Sequence, residues 1–361
     1  MERTNQAAFL IAKHTPLEIK QSTYTAPNKD ELVVKNYDWI IQEAANIAVS
    51  WVKLPFILGT DVAGEVIEVG CDVTRFKVGD RVVGYAAGLD KRVNRACEGG
   101  FQEYTVLRQN VTSPIPQSMS FETASVMPLG LSTAACGLFQ KDYLALPFPS
   151  LSPSPSGKTL LVWGGSTSVG CNAIQLATAA GCEVIATASP KNHDYLKGLG
   201  AAKVFDYRSP TVAADIISEF KDRTAAGAIS IGSGSFQKCV DILGACKGNK
   251  FVAQATFEAP PFPKGLSGYP VFIIGMLSKL IPGTVRSWLK GVSHKIINGS
   301  DLVTNEVGKA IYEDFLPVAL EQKKFQPAPE PQVVGKGFEY LRKATDMNKK
   351  GVSAKKLVVQ I

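Results

Sequence analysis

The stretch LLVWGGSTSVGCNAIQLATAAGCEVIATASPKN, residues 160–192, constrains the fold of this chain more than any other. Residues 160–163 are an apolar run that reads as a buried parallel strand. The run ends in Gly164 and Gly165, and a helical pattern follows over 169–180, with Val169, Ala173, Leu176 and Ala177 on one face. Gly181 ends that helix, and a second strand passes through Val184 and Ile185. Strand, glycine turn, helix and strand form a βαβ opening. The free N–H groups and positive dipole end of its helix suit a pyrophosphate.

The turn reads GGSTSVG rather than G-x-G-x-x-G, so alone it is a moderate sign of a dinucleotide. The second strand sharpens it. An NAD site places a carboxylate there to accept the ribose 2′-OH. This strand instead runs out through Thr187, Ala188, Ser189, Pro190, Lys191 and Asn192, with no acid. A hydroxyl, a lysine and an amide suit a 2′-phosphate, so the residues favour NADP(H) over NAD(H). A solvated lysine at a helix start is the plainer alternative for Lys191.

The chain is long enough, at 361 residues, for two domains, and its 45 % hydrophobic and 20 % charged content is that of an ordinary globular core. The net charge of +7 comes from scattered lysines and arginines, with no basic tract interleaved with aromatics. A polyanionic cofactor explains it better than nucleic acid. No secretory leader and no membrane-length apolar run are evident. The seven cysteines contain no C-x-x-C pair, which points to reduced thiols and the cytoplasm.

Residues up to about Met119 are β-rich and punctuated by glycine, as in a compact barrel of short strands. Helical patterning runs from Phe121 through Leu138, a Pro/Ser-rich surface loop covers 147–157, and strands alternate with helices to about Gly275. Residues 277–297, LSKLIPGTVRSWLKGVSHKII, are basic and weakly amphipathic. They read as an insertion packed on its own domain, with a lid, an oligomer contact or a membrane-surface patch as alternatives. Helices are expected over 306–320 and 333–344, and a closing strand over 355–361.

The succession LGTDVAGEVIEVG, GDRVVG, GGFQEY, PLGLSTA, GGSTSVG and GVSAKKLVV resembles the medium-chain dehydrogenase/reductase superfamily over nearly the whole chain. TASPKN and VFDYRSP are similar to its zinc-less quinone oxidoreductase and enoyl reductase branch, and most of all to fungal trans-acting enoyl reductases of polyketide pathways. The resemblance implies an α/β fold: a Rossmann doubly wound parallel sheet over 129–305 and a GroES-like β-barrel catalytic domain from 1–128 and 306–361. The active site would lie in the cleft between them.

Zinc alcohol dehydrogenases of this superfamily place a His-Glu pair after a glycine and a cysteine before a later helix. Here Thr60 and Asp61 follow Gly59, and Leu129 precedes Gly130. Thr60 and Leu129 are poor zinc ligands, Cys97 stands alone, and His14, His193 and His294 fall outside the motifs. No catalytic or structural zinc is expected. Without a Lewis acid, reduction of a conjugated double bond by NADPH fits better than alcohol oxidation.

By the same resemblance, Gly164, Gly165, Ser166, Thr167, Ser168 and Val169 would hold the pyrophosphate, and Ser189, Pro190, Lys191 and Asn192 the 2′-phosphate end. Tyr207 would lie on the adenosine side, and Val352 and Ser353 would reach the cofactor from the C-terminal segment. Leu131, Ser132, Thr133, Gly275, Met276 and Leu277 would border the substrate. Thr133 is the expected hydroxyl near the carbonyl and Tyr85 the expected proton donor; capping and packing are the plainer roles for each.

The step from Leu32–Asn36 straight into Tyr37-Asp38-Trp39 looks short. About half a dozen residues fewer than in such relatives would remove on the order of 20 Å of strand path. The expected function is NADPH-dependent reduction of an α,β-unsaturated carbonyl, free or carried by an acyl carrier protein or polyketide synthase. An NADP(H)-binding protein with lost catalysis, and an NADP-linked dehydrogenase or pericyclic activity, are the alternatives. Oligomeric state stays open.

Overall fold

A computed structural model describes residues 3–12, 15–40, 51–257, 260 and 266–361. The chain divides into two compact units, Met1–Ser132 with Ser300–Ile361, and Thr133–Gly299.

Among the described residues the first unit begins with eight strands: β1 (Thr4–Leu10), β2 (Glu18–Thr23), β3 (Glu31–Ile40), β4 (Phe56–Ile57), β5 (Asp61–Val69), β6 (Arg81–Tyr85), β7 (Tyr104–Arg108) and β8 (Thr112–Pro114). Helices α1 (Phe121–Ser125) and α2 (Pro128–Phe139) follow, and the boundary between the units falls within α2. In the second unit come β9 (Lys158–Trp163), α3 (Ser168–Ala179), β10 (Glu183–Ala188), α4 (His193–Gly198), β11 (Lys203–Asp206), α5 (Val212–Glu219) and β12 (Thr224–Ser230). It continues with α6 (Ser235–Ala245), β13 (Lys247–Gly248), β14 (Phe251–Gln254), α7 (Tyr269–Leu289) and β15 (Ser293–Ile296). The chain closes the first unit with α8 (Glu306–Lys309), α9 (Leu316–Glu321), β16 (Glu330–Lys336), α10 (Tyr340–Lys349) and β17 (Lys355–Gln360).

In the second unit the strands lie in the order β11-β10-β9-β12-β14-β15, all parallel. The order reverses between β9 and β12, which is the doubly wound arrangement with its ligand crevice at the strands' carboxyl ends. Leu160, Leu161 and Val162 of β9 and Ala225, Ala226 and Ala228 of β12 are buried, as strands covered on both faces require. Leu161, Trp163 and Ile185 pack with Val212, Ile216, Phe220, Val240 and Leu243 from the helices of one face.

The first unit is built on a sheet ordered β16-β17-β3-β5-β6-β8 and a smaller antiparallel sheet ordered β2-β1-β4. Strand β3 runs without interruption through Asn36 and Tyr37, pairing with β5 on one side and with β17 at Asp38, Trp39 and Ile40 on the other. The short junction therefore reads as continuous strand up to Ile40, with a register slip against β5 between Asn36 and Asp38. Residues 41–50, like His14, lie outside the described residues.

Three stretches depart from the patterns read in the sequence. The expected helix over 333–344 starts only at Tyr340. Residues Val333 and Val334 belong to β16, whose parallel pairing with β17 outweighs the helical spacing, and Gly337 turns the chain at φ 104° before α10. The helix over 306–320 contains a π-helical turn, Ala310–Phe315. Pro317, in the first turn of α9, has no N–H for the carbonyl of Glu313, and the ladder loosens just before it. The alternation of the second unit extends past Gly275: residues 277–297 supply most of α7 and the edge strand β15.

Candidate functional site: the carboxyl edge of the parallel sheet

The turn from β9 into α3 is held by its own backbone and by Thr187 of the next strand. Gly164 N–H donates to Thr187 Oγ1 at 3.0 Å and Gly165 N–H to the Thr187 carbonyl at 2.8 Å. Gly164 has φ 87°, and a Cβ there would stand 2.7 Å from the Ile231 carbonyl oxygen. A Cβ at Gly170 would stand 2.3 Å from the Gly164 carbonyl oxygen, so the helix is seated against the turn as closely as backbone allows.

Thr167 caps α3. Its hydroxyl accepts from Gly170 N–H at 3.0 Å and donates to the Gly164 carbonyl at 2.8 Å. The N–H groups of Ser168 and Val169, at the first helical positions, have no intrahelical acceptor. The Ser168 hydroxyl is buried with no partner among the described residues. Unused donors, a buried orphan hydroxyl and a cradle that any side chain would fill together fit a dinucleotide pyrophosphate.

At the ends of β10 and β11 the polar groups change character. Ala188 closes β10, and Pro190, Lys191 and Asn192 make one 3-10 turn with Lys191 exposed and Asn192 buried. Ser189 Oγ lies 3.5 Å from Tyr207 Oη, and Arg208 Nε donates to the same oxygen at 3.3 Å. These two hydrogen bonds hold the Tyr207 phenol below its usual pKa. The Arg208 guanidinium also lies over the Tyr207 ring, 5.3 Å from its centre. Asp206, at the end of β11, accepts the backbone N–H of Arg208 at 3.0 Å. Sequence reading singled out Tyr207 and passed over Arg208, although it is the next residue in FDYRSP.

The structure thus brings Gly164, Gly165, Ser166, Thr167, Ser168, Val169, Ser189, Pro190, Lys191, Asn192 and Tyr207 to one edge of one sheet. Thr133 opens the same unit and is half-buried; a Cβ at Gly299 would stand 2.5 Å from its hydroxyl oxygen. Gly275, Met276 and Leu277 lie on α7, with Leu277 47 % exposed. Val352 and Ser353 belong to the first unit, in an exposed turn between Gly351 and Ala354, both at positive φ. Tyr85, also in the first unit, is buried at the end of β6 opposite Asp61. Leu131 and Ser132 are fully buried, and the Ser132 hydroxyl meets Tyr312 Oη at 2.9 Å, which in turn donates to the Pro128 carbonyl.

The positions where zinc relatives carry ligands are occupied by a buried ionic knot. Asp61 Oδ1 accepts the Leu129 N–H at 2.7 Å and lies 3.3 Å from Lys356 Nζ, which donates to the Val126 carbonyl at 2.9 Å. Both charged side chains are buried. Burial pushes the Asp61 carboxyl up and the Lys356 ammonium down, each opposed by the charge of the other. Thr60 Oγ1 turns toward Asp61 at 3.4 Å. No group of three or more His, Cys, Asp or Glu is placed to hold a metal among the described residues. The side chains at Thr60, Asp61 and Leu129 do not fit a zinc site.

Sequence models of the alcohol dehydrogenase GroES-like domain and of the zinc-binding dehydrogenase domain match residues 31–117 and 168–256. Along its whole length the chain is 51 % identical to dehydrogenase pigH of Monascus ruber, over 99 % of this chain and 100 % of that protein. It belongs to the medium-chain dehydrogenase/reductase superfamily. This superfamily member is also 38 % identical to trans-enoyl reductase himH of Aspergillus japonicus, over 99 % of this chain and 97 % of that protein. Its fold matches an alcohol dehydrogenase superfamily protein of Novosphingobium aromaticivorans with TM-score 0.75 at 20 % identity, covering 99 % of both chains. Among its described residues no helix is long and apolar enough to cross a membrane.

Proposed function

We propose that the chain is an NADPH-dependent reductase of α,β-unsaturated carbonyl compounds that works without zinc. The observation that carries the cofactor choice is the end of β10, where Ser189, Tyr207 and Arg208 meet, Lys191 follows in the exposed 3-10 turn, and the neighbouring Asp206 carboxylate is taken up by the Arg208 backbone N–H. Lys191 and Arg208 would form charge-assisted bonds to a 2′-phosphate, with Ser189 and Asn192 adding neutral ones. The Ser168 and Val169 N–H groups would hold the pyrophosphate at the helix dipole. Likeness to a trans-enoyl reductase supports the reaction class.

NADPH bound there would supply the hydride that adds to the β-carbon. Thr133 is assigned the hydrogen bond to the substrate carbonyl, which strengthens as negative charge moves onto that oxygen. Tyr85 is assigned the proton for the α-carbon, drawn afterwards from solvent, so the double bond gains one hydride and one proton. Val352 and Ser353 are assigned to the cofactor, and Leu131, Ser132, Gly275, Met276 and Leu277 to the substrate boundary. An acyl group on a carrier protein of a polyketide synthase fits the class, since such carriers are acidic and the net charge of +7 would speed encounter. The free thiols are in keeping with a cytoplasmic, reducing setting.

Oxidation of NADPH is followed at 340 nm against an enone, a quinone and an enoyl thioester, with metal content measured on the same preparation. Consumption of NADPH with the enoyl thioester, by protein without stoichiometric zinc, is the expected result. Binding of NADPH with no turnover of any of the three would shift the reading to a cofactor-binding protein without catalysis. One zinc per chain would overturn the zinc-free mechanism.

A further inference from the structure

A concavity opens in the parallel-sheet unit, between the start of α6, the ends of β14 and β15 and the middle of α7, with a volume of about 300 Å³. That is the scale of a small-molecule site. Phe236, Phe257, Leu280, Pro282 and Ile296 give it apolar walls. Its rim includes Gly232, which follows Ile231, the residue whose carbonyl abuts Gly164. The Gly232 N–H donates to Thr256 Oγ1 at 3.0 Å. The concavity therefore lies on the same carboxyl edge as the nucleotide turn.

Polar side chains also line it, among them Thr256, Ser278 and Lys279, and within that lining Gln254 and His294 form a hydrogen-bonded pair. Gln254 and His294 stand on neighbouring strands, at alternate positions that share a face, and the Gln254 amide meets His294 Nδ1 at 2.7 Å. With the amide donating to Nδ1, the ring proton sits on Nε2. No described residue accepts that proton. Burial lowers the His294 pKa, which favours the neutral ring. Phe236 packs on the imidazole at 4.7 Å between ring centres and fixes its plane.

We infer that this concavity takes the distal acyl tail of the substrate, and that His294 Nε2–H donates to an oxygen carried on that tail. The ligand class is an α,β-unsaturated acyl thioester with a keto group toward its far end, and the inference rests on the reductase reading above. Neither the glycine turn nor the zinc-position residues predict it. Gln254 and His294 are 40 positions apart and meet only through strand pairing.

The test uses three N-acetylcysteamine thioesters: crotonyl, trans-2-octenoyl and a keto-tailed 2-octenoyl analogue. Reduction is measured by NADPH oxidation and binding separately by calorimetry with NADP+. The wild type is expected to favour the keto-tailed probe over crotonyl in kcat/KM. His294→Phe keeps the ring and removes the donor; it should lower the keto-tailed to octenoyl ratio about tenfold, the worth of one hydrogen bond. Leu280→Trp narrows the concavity from its exposed side and should lower the ratio of both long probes to crotonyl. NADPH titration reports that each variant is folded. Unchanged ratios in both variants would overturn the inference while leaving the reductase reading intact. Long probes that bind through His294 and Leu280 but are not reduced would overturn the reductase reading and leave the concavity standing. Long probes that neither bind nor react would overturn both.

Discussion

The nucleotide turn and the knot at Asp61 use polar groups in opposite ways. The turn leaves donors unused: the N–H groups of Ser168 and Val169 stand at the helix start with no intrahelical acceptor, and the buried Ser168 hydroxyl has no partner among the described residues. The knot spends its polar groups on one another, tying Asp61 to Leu129 and Lys356, and Lys356 to Val126. A surface prepared for a ligand carries unmet hydrogen-bonding capacity, whereas one that holds a fold together satisfies it. The difference also marks which changes should affect stability and which should affect binding.

The largest effect is expected at the knot. Asp61→Ala leaves the Lys356 ammonium buried without its counter-charge, at a cost of about 3–5 kcal/mol. Urea denaturation should show it, and adding Lys356→Met should recover much of the loss. A single variant as stable as the wild type would show that the two charges do not support the fold.

Next is the seat of the nucleotide helix. Gly170→Ala puts a methyl group against backbone atoms that cannot yield, and overpacking of that kind costs about 1–3 kcal/mol. The strain falls on the turn itself, so NADPH affinity in a fluorescence titration should drop together with the melting temperature. A stable Gly170→Ala protein with wild-type affinity would break the contrast.

The smallest effect concerns another buried carboxylate of the first unit, Glu31. Burial raises the Glu31 carboxyl, but Arg95 and Asn28 outweigh it and hold Glu31 below its ordinary value of 4.5. A lowered folded pKa means stability that is complete above the unfolded value and lost as pH falls through the folded one. Thermal unfolding stepped downward from pH 6 should show that decline, and Glu31→Gln should flatten it. A pH dependence identical in the two proteins would remove Glu31 as its source.

How legible each region was follows from distance along the chain. The nucleotide turn lies within residues 160–192, where apolar spacing, glycines and the strand end can be read in order. The helix read over 169–180 is observed at Ser168–Ala179. The knot joins residues 295 positions apart, and no local pattern announces that Lys356 is buried beside Asp61. The same reason hid the pairing of β16 with β17 behind an apparently helical 333–344. Arg208 was within reach, as a basic residue beside Tyr207, yet its place beside the end of β10 becomes evident only when β10 and β11 lie side by side.

The central claim is that the unused donors and cations at the sheet's carboxyl edge select NADPH. Fluorescence titration of NADPH and NADH against the wild type and the Lys191→Ala/Arg208→Ala double variant tests it most directly. Two charge-assisted bonds at about 1.5 kcal/mol or more each predict at least a hundredfold preference, roughly, for NADPH in the wild type. The double variant should bring the two affinities close to parity while NADH binding stays as it was. Equal binding of NADH and NADPH by the wild type, or a preference untouched by the double variant, would contradict the account.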